Sequence, residues 1–197
     1  MNCEARSGYE EACREPYYRS HDRRGYCIFH YPVDDKKEEF REAIEEKIQR
    51  GSYDFFEYWF PDEFENLKGA SVDEVANFTG ATFAHSVDFT GTKFNRGVRF
   101  EITTLLGNSI FKRARFAGCN FDSVAFSYGA EFDDSLFIAD KDAERQDESI
   151  ARETILGRVA RFHNIYIGGN DLSFERAIFE IEVRFQLIYW IFGRCIG

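Results

Sequence analysis

The sequence predicts a mainly β fold: a solenoid with square coils, flanked by α-helices and preceded by a small Cys/His-rich module. Three observations predict it. Phenylalanine supplies 22 of 197 residues and methionine one, so a single residue type fills many equivalent holes. Through the middle of the chain a phenylalanine returns in steps of five or six, which fits neither the two-residue alternation of a strand nor the 3.6-residue turn of a helix. Two places before each of these stands a small or β-branched residue.

In register, the bulky positions are Phe78, Phe83, Phe89, Phe94, Phe100, Leu105, Phe111, Phe116, Phe121, Phe126, Phe132 and Phe137. The slim positions are Ala76, Ala81, Val87, Thr92, Val98, Thr103, Ser109, Ala114, Cys119, Val124, Ala130 and Ser135. A coil side of five residues accounts for both sets. The bulky residue and its slim companion point inward, and the other three face solvent. Coils stacked about 4.8 Å apart bond backbone to backbone. The extra residue of a six-step bulges outward at a corner. The two open ends of such a stack need caps.

The segments "ANFTG" at 76–80, "ATFAH" at 81–85 and "CNFDS" at 119–123 carry a further implication. They resemble the A-(N/D)-(L/F)-x-x unit of the pentapeptide-repeat family, and the resemblance extends over residues 70–139. It departs from the family's unit in using Phe almost throughout and in alternating five residues with six. The resemblance implies a right-handed quadrilateral β-helix of about three coils, at four repeats per coil.

Four segments follow from this register. Residues 1–33 form the Cys/His-rich module, 34–69 an acidic helix and aromatic N-terminal cap, 70–139 the β-helix, and 140–197 a C-terminal helix pair. "KKEEFREAIEEKIQR" at 36–50 has an apolar stripe of Phe40, Ala43, Ile44 and Ile48, with Asp34 or Asp35 as N-cap and Gly51 as stop. "YDFFEYWFPDEF" is aromatic enough to lie over the first coil. Beyond the repeats, one helix is expected over 142–163 through Ala151, Ile155, Val159 and Phe162. A second follows "GGND", with Phe174, Ile178, Ile181, Phe185, Ile188 and Phe192 in steps of four and three. This pair either caps the solenoid or dimerises. The apolar run "FQLIYWIFGRCIG" is too short to span a bilayer and contains Arg194; membrane association is expected only through it.

Cys3, Cys13, Cys27 and His30 all precede the first helix. In "CIFH" a thiolate and an imidazole stand three apart, a spacing that lets both reach one ion from a turn. Three sulfurs and one nitrogen suit tetrahedral Zn²⁺ in a structural site with no open position. Such an ion would fold a segment too small to bury a core. The alternative is three reduced cysteines in a loose arm beside an ordinary histidine. His21 is a spare ligand, Cys119 belongs to the core, and Cys195 to the apolar tail. Starts of this kind, ending in "CIFH" ahead of an "FREA" helix, are similar to the front end of multidomain pentapeptide-repeat proteins.

The formal charge of −10 argues against nucleic-acid affinity. Residues 34–75 hold fourteen acids against six bases, whereas 76–139 are balanced at six against six. Lys93 and Arg115 are expected to stack on one side, with Arg96, Arg99 and Arg113 at its corners, forming a basic stripe for an anionic partner. The sequence has no Gly-rich phosphate loop, nucleophile elbow or HExxH, so it does not read as an enzyme. No secretory signal opens "MNCEARSGYE" and the cysteine count is odd, which points to a reducing cytoplasm. The expected function is a non-catalytic scaffold for protein–protein interaction, with a structural zinc site. One alternative from the resemblance is a cytoplasmic regulatory module of a truncated ion-channel-like membrane protein. Another is a DNA-mimicking gyrase-interacting protein.

Overall fold

The twelve bulky and twelve slim positions are all buried, none more than 2 % exposed. The computed structural model describes Cys3, Glu4, Cys13, residues 15–138, and the backbone strands Val159–Ile167, Leu172–Ser173, Ile178–Phe179 and Glu182–Trp190. It is a β-solenoid of about four turns with one short α-helix.

Short strands of two or three residues stack in parallel along four sides. Side I holds Ala76–Asn77, Val98–Arg99 and Cys119–Asn120. Side II holds Trp59–Phe60, Thr82–Phe83, Thr104–Leu105 and Ala125–Phe126. Side III holds Val87–Asp88, Ser109–Ile110 and Ala130–Glu131. Side IV holds Ser71–Val72, Lys93–Phe94, Arg115–Ala117 and Leu136–Ile138. Each strand is too short to bury anything alone; the parallel ladder gives its amides partners above and below.

Inside, rings pile into columns. Phe55, Phe78, Phe100 and Phe121 stack face to face with centroids 4.7, 4.9 and 4.9 Å apart. Phe89, Phe111 and Phe132 repeat this at 5.2 and 4.6 Å, and rings of adjacent columns meet edge-on. Three of the four polar residues at slim positions are satisfied across coils. The hydroxyls of Thr92, Thr103 and Ser135 donate to the carbonyls of Leu67, Phe78 and Phe111 at 2.7, 2.8 and 2.7 Å.

The five-residue sides turn through a left-handed residue two places after the bulky position. Gly80, Ile102 and Ser123 take this conformation at one corner, and Gly91, Arg113 and Asp134 at the opposite one. A positive φ at Ile102 and Arg113 costs backbone energy that the ladder on either side must hold in place.

The stack begins before residue 70. The aromatic segment expected to cover the first coil is itself a coil: Asp54 bridges to Asn77, Trp59–Phe60 pairs with Thr82–Phe83, and Phe64 bridges to Val87. Its spacing hid it, because Phe64 occupies a slim position and Phe55, Phe60 and Val72 are unevenly placed. As a result seven acids, Asp54, Glu57, Asp62, Glu63, Glu65, Asp73 and Glu74, belong to the first coil and not to the helical segment.

The C-terminal helix pair is corrected where the structure describes it. Val159–Ile167 is a strand that pairs first with side I at Cys119–Asn120, then with side II at Ala125–Phe126. Leu172–Ser173 and Ile178–Phe179 extend sides III and IV, and Glu182–Trp190 lies along Val159–Ile167. Leu172 therefore takes a slim register position and Phe179 a bulky one. "VARFHNIYI" and "EVRFQLIYW" are β-branched and aromatic sequences that suit strands, and this outweighed the helical spacing. Ala151, Ile155, Phe174, Ile181, Phe192 and Cys195 lie outside the described residues.

The expected helix is present as α1, Lys37–Gln49, with Phe40 and Ile44 buried. It opens from a 3₁₀ turn, Asp34–Lys36, and neither aspartate caps it. Asp34 instead accepts from the indole of Trp59, and Asp35 from Arg19. Gly51, at φ +72°, ends the helix as expected. No helix among the described residues is long and apolar enough to cross a membrane.

Candidate metal centre

A hairpin and a single turn build the module at the N-terminal end of the solenoid. Strands β1 (Arg19–His21) and β2 (Arg24–Tyr26) pair antiparallel around Asp22 and Arg23, both at positive φ as a tight hairpin requires. Glu4 is pinned to this hairpin, its amide donating to the Gly25 carbonyl at 2.8 Å. The chain then makes one turn, with the Tyr31 amide donating to the Cys27 carbonyl at 3.0 Å. That turn sets Cys27 and His30 side by side.

All four predicted ligands converge. The ligand atoms of Cys3, Cys13, Cys27 and His30 lie within 4.8 Å of one another, and every one of these residues is buried. His30 Nδ1 is 3.1 Å from the Cys27 sulfur and 3.6 Å from that of Cys3, and the Cys13 and Cys27 sulfurs are 3.9 Å apart. The cysteines are free thiols. The cluster can hold a metal ion. His21 stays outside it, half-exposed beside Asp22 and the Tyr31 ring.

The electrostatics favour a thiolate here. The Cys27 hydrogen bond, aided by His30, outweighs burial and holds Cys13 down at about 4. Donating that bond and being buried move Cys27 upward.

The turn is tied to the first coil at several points. His30 Nε2 lies 3.0 Å from the Phe56 carbonyl oxygen and donates to it, which leaves Nδ1 facing the sulfurs with its lone pair. The Trp59 amide donates to the Phe29 carbonyl at 2.9 Å. The Phe29 ring stacks on Tyr58 at 4.6 Å, and the His30 ring meets Tyr58 edge-on at 5.1 Å. The module thus covers the end of the phenylalanine columns, where a solenoid needs a cap.

Sequence reasoning missed two parts of this centre. One is the Phe56 carbonyl, a backbone group with no sequence signal. The other is Lys36, whose side chain is fully buried and whose ammonium donates to the carbonyls of Ile28 and Phe29. Burial lowers its pKa to about 7, and the nearby carboxylates of Asp34 and Asp35 oppose that shift. A signal did exist: Lys36 precedes Phe40, Ile44 and Ile48 in steps of four, so it lies on the apolar stripe.

Lys93 and Arg115 are neighbours on side IV, as expected. Arg99 lies in a strand of side I, and Arg113 sits at the left-handed corner before side IV. Arg96 pairs with Glu74 at 3.6 Å, and Arg115 donates to the Asn95 side chain at 3.0 Å. On side III, Asp88 pairs with Lys68 at 2.6 Å and Glu131 with Lys112.

No family model, curated protein or solved structure matches the chain.

Proposed function

We propose that the protein is a non-catalytic scaffold of the pentapeptide-repeat type, whose N-terminal end is closed by a structural zinc ion and whose sides present surfaces to a protein partner. The convergence of Cys3, Cys13, Cys27 and His30 at the end of the ring columns carries this reading. Zinc bonded to sulfur at about 2.3 Å and nitrogen at about 2.0 Å in a tetrahedron needs S···S edges of about 3.8 Å and S···N edges of about 3.5 Å. The 3.9 Å Cys13–Cys27 and 3.6 Å Cys3–His30 separations match those edges, while the 3.1 Å Cys27–His30 separation must widen by about 0.4 Å to do so. Four protein ligands complete the shell and leave no position for a substrate or water, which favours a structural role over a catalytic one. The repeat-family reading rests on the paired slim and bulky positions and on the family-like units at 76–80, 81–85 and 119–123.

Metal analysis of the purified full chain tests the zinc centre. The expected result is about one zinc per chain, and less than about half an equivalent in Cys27→Ser, since a structural site needs all four ligands. Less than about half an equivalent in the parent chain, unchanged by the substitution, would end the zinc reading. The partner surface is tested separately with the Arg96→Glu, Arg115→Glu double variant on side IV. Capture of a protein partner should be lost if these cations form the contact, and unchanged capture would remove side IV from the proposal.

A further inference from the structure

The buried Lys36 has no assigned role, and its setting is chemically unusual. A lysine ammonium with no exposure, bonded to carbonyl oxygens, loses most of its hydration and gains no bonded countercharge in return, with Asp34 and Asp35 acting on it only through space. No carboxylate bonds to it among the ion pairs of the described residues: Asp34 accepts from Trp59, and Asp35 from Arg19. Both carbonyls it grips belong to Ile28 and Phe29, the two residues between the ligands Cys27 and His30. Its stem is fixed as well, with the ammonium 4.8 Å from the centroid of the Phe40 ring.

Charge counting on the zinc centre supplies the missing partner. Three thiolates and one dication leave a single negative charge, since the imidazole is neutral as a ligand. That charge is as buried as the lysine. We infer that Lys36 is a positioning residue of the metal centre: its ammonium balances the excess negative charge of a three-cysteine, one-histidine zinc site while its hydrogen bonds lock the Cys27–His30 turn. The inference rests on the zinc reading above, and explains why a charged residue stands on the apolar stripe of the helix. A purely structural lysine would need the two carbonyls but would be indifferent to the charge of the ligand set.

A double-mutant cycle on the full chain separates these roles, with zinc affinity read by competition against a chromophoric chelator. Lys36→Met keeps the length and apolar stem and removes the charge. It should weaken zinc binding by about tenfold or more, the usual scale for groups supporting metal ligands. Cys13→His replaces one thiolate by a neutral ligand and so removes the excess charge. In that background, removing Lys36 should cost clearly less affinity, because only the hydrogen bonds to the turn are lost and not the charge balance. A smaller loss in the parent background, or the same loss in both, would overturn the inference. Should Lys36→Met alone fail to fold, the double variant decides the matter: it must fold and bind zinc within about tenfold of Cys13→His, and a larger loss overturns the proposal. If the parent chain binds no zinc, the zinc reading fails; if it binds zinc but the cycle shows no coupling, only the role of Lys36 fails.

Discussion

His30 Nε2 and the Phe56 carbonyl, 3.0 Å apart, join a metal ligand to the first coil of the solenoid. The same ring turns its other nitrogen to the sulfurs of Cys27 and Cys3. One imidazole therefore bears on both the N-terminal module and the edge it covers.

Metal removal should consequently loosen the end of the stack as well as the module. Binding to the folded state alone stabilises by about 4 kcal/mol when free metal stands a thousandfold above its dissociation constant. Calorimetry with and without a strong chelator should show a lower melting temperature in chelator. An unchanged melting temperature would mean that the ligands do not couple to the coils.

Gly107 makes a close backbone contact between coils. A Cβ placed there would stand 2.4 Å from the Ser86 amide nitrogen and 2.5 Å from the His85 carbonyl carbon. Both are backbone atoms that cannot swing away, so Gly107→Ala should cost about 3 kcal/mol or more in urea unfolding. Gly51→Ala is the control. Its left-handed φ of +72° is unfavourable, but nothing lies within 4 Å, and about 1 kcal/mol is expected.

Two slim hydroxyls should respond in opposite ways. Thr103 donates to the Phe78 carbonyl at 2.8 Å, which also accepts from the Ala81 amide, so Thr103→Val removes one of two bonds and should cost about 1 kcal/mol. The buried hydroxyl of Ser109 has no hydrogen-bond partner among the described residues. Ser109→Ala should therefore leave stability unchanged or raise it, as thermal unfolding would show.

Phe111 is sandwiched between Phe89 and Phe132 in the middle of its column. Phe111→Ala should cost about 3–5 kcal/mol through the cavity it leaves. Phe111→Leu should be milder, because Leu105 already fills a bulky position of the same register, fully buried. Denaturant midpoints for the two variants would check this order.

The middle coils were legible because each side repeats one physical demand, a ring and a slim companion, as at Phe83 with Ala81. The metal ligands were legible by chemistry, although nothing in the separations of Cys3 and Cys13 foretold their approach to Cys27. The first coil was not legible, since Phe64 stands where the other coils keep a slim residue. Toward the C-terminus, Ile178, Phe185 and Ile188 keep helical steps while lying in strands, so period and propensity disagreed and propensity prevailed. Lys36 was passed over because a lysine at a helix start ordinarily reads as solvated.

In the ladder each coil pairs with the one above and the one below, and Thr82 stands directly under Thr104. Excising residues 82–103 would bring Ala81 to Thr104 at the same corner, with every later strand still facing an equivalent neighbour. Rod length is thus a quantity that whole-coil duplication or loss can alter in single jumps, while the sulfur-bearing end stays as it is.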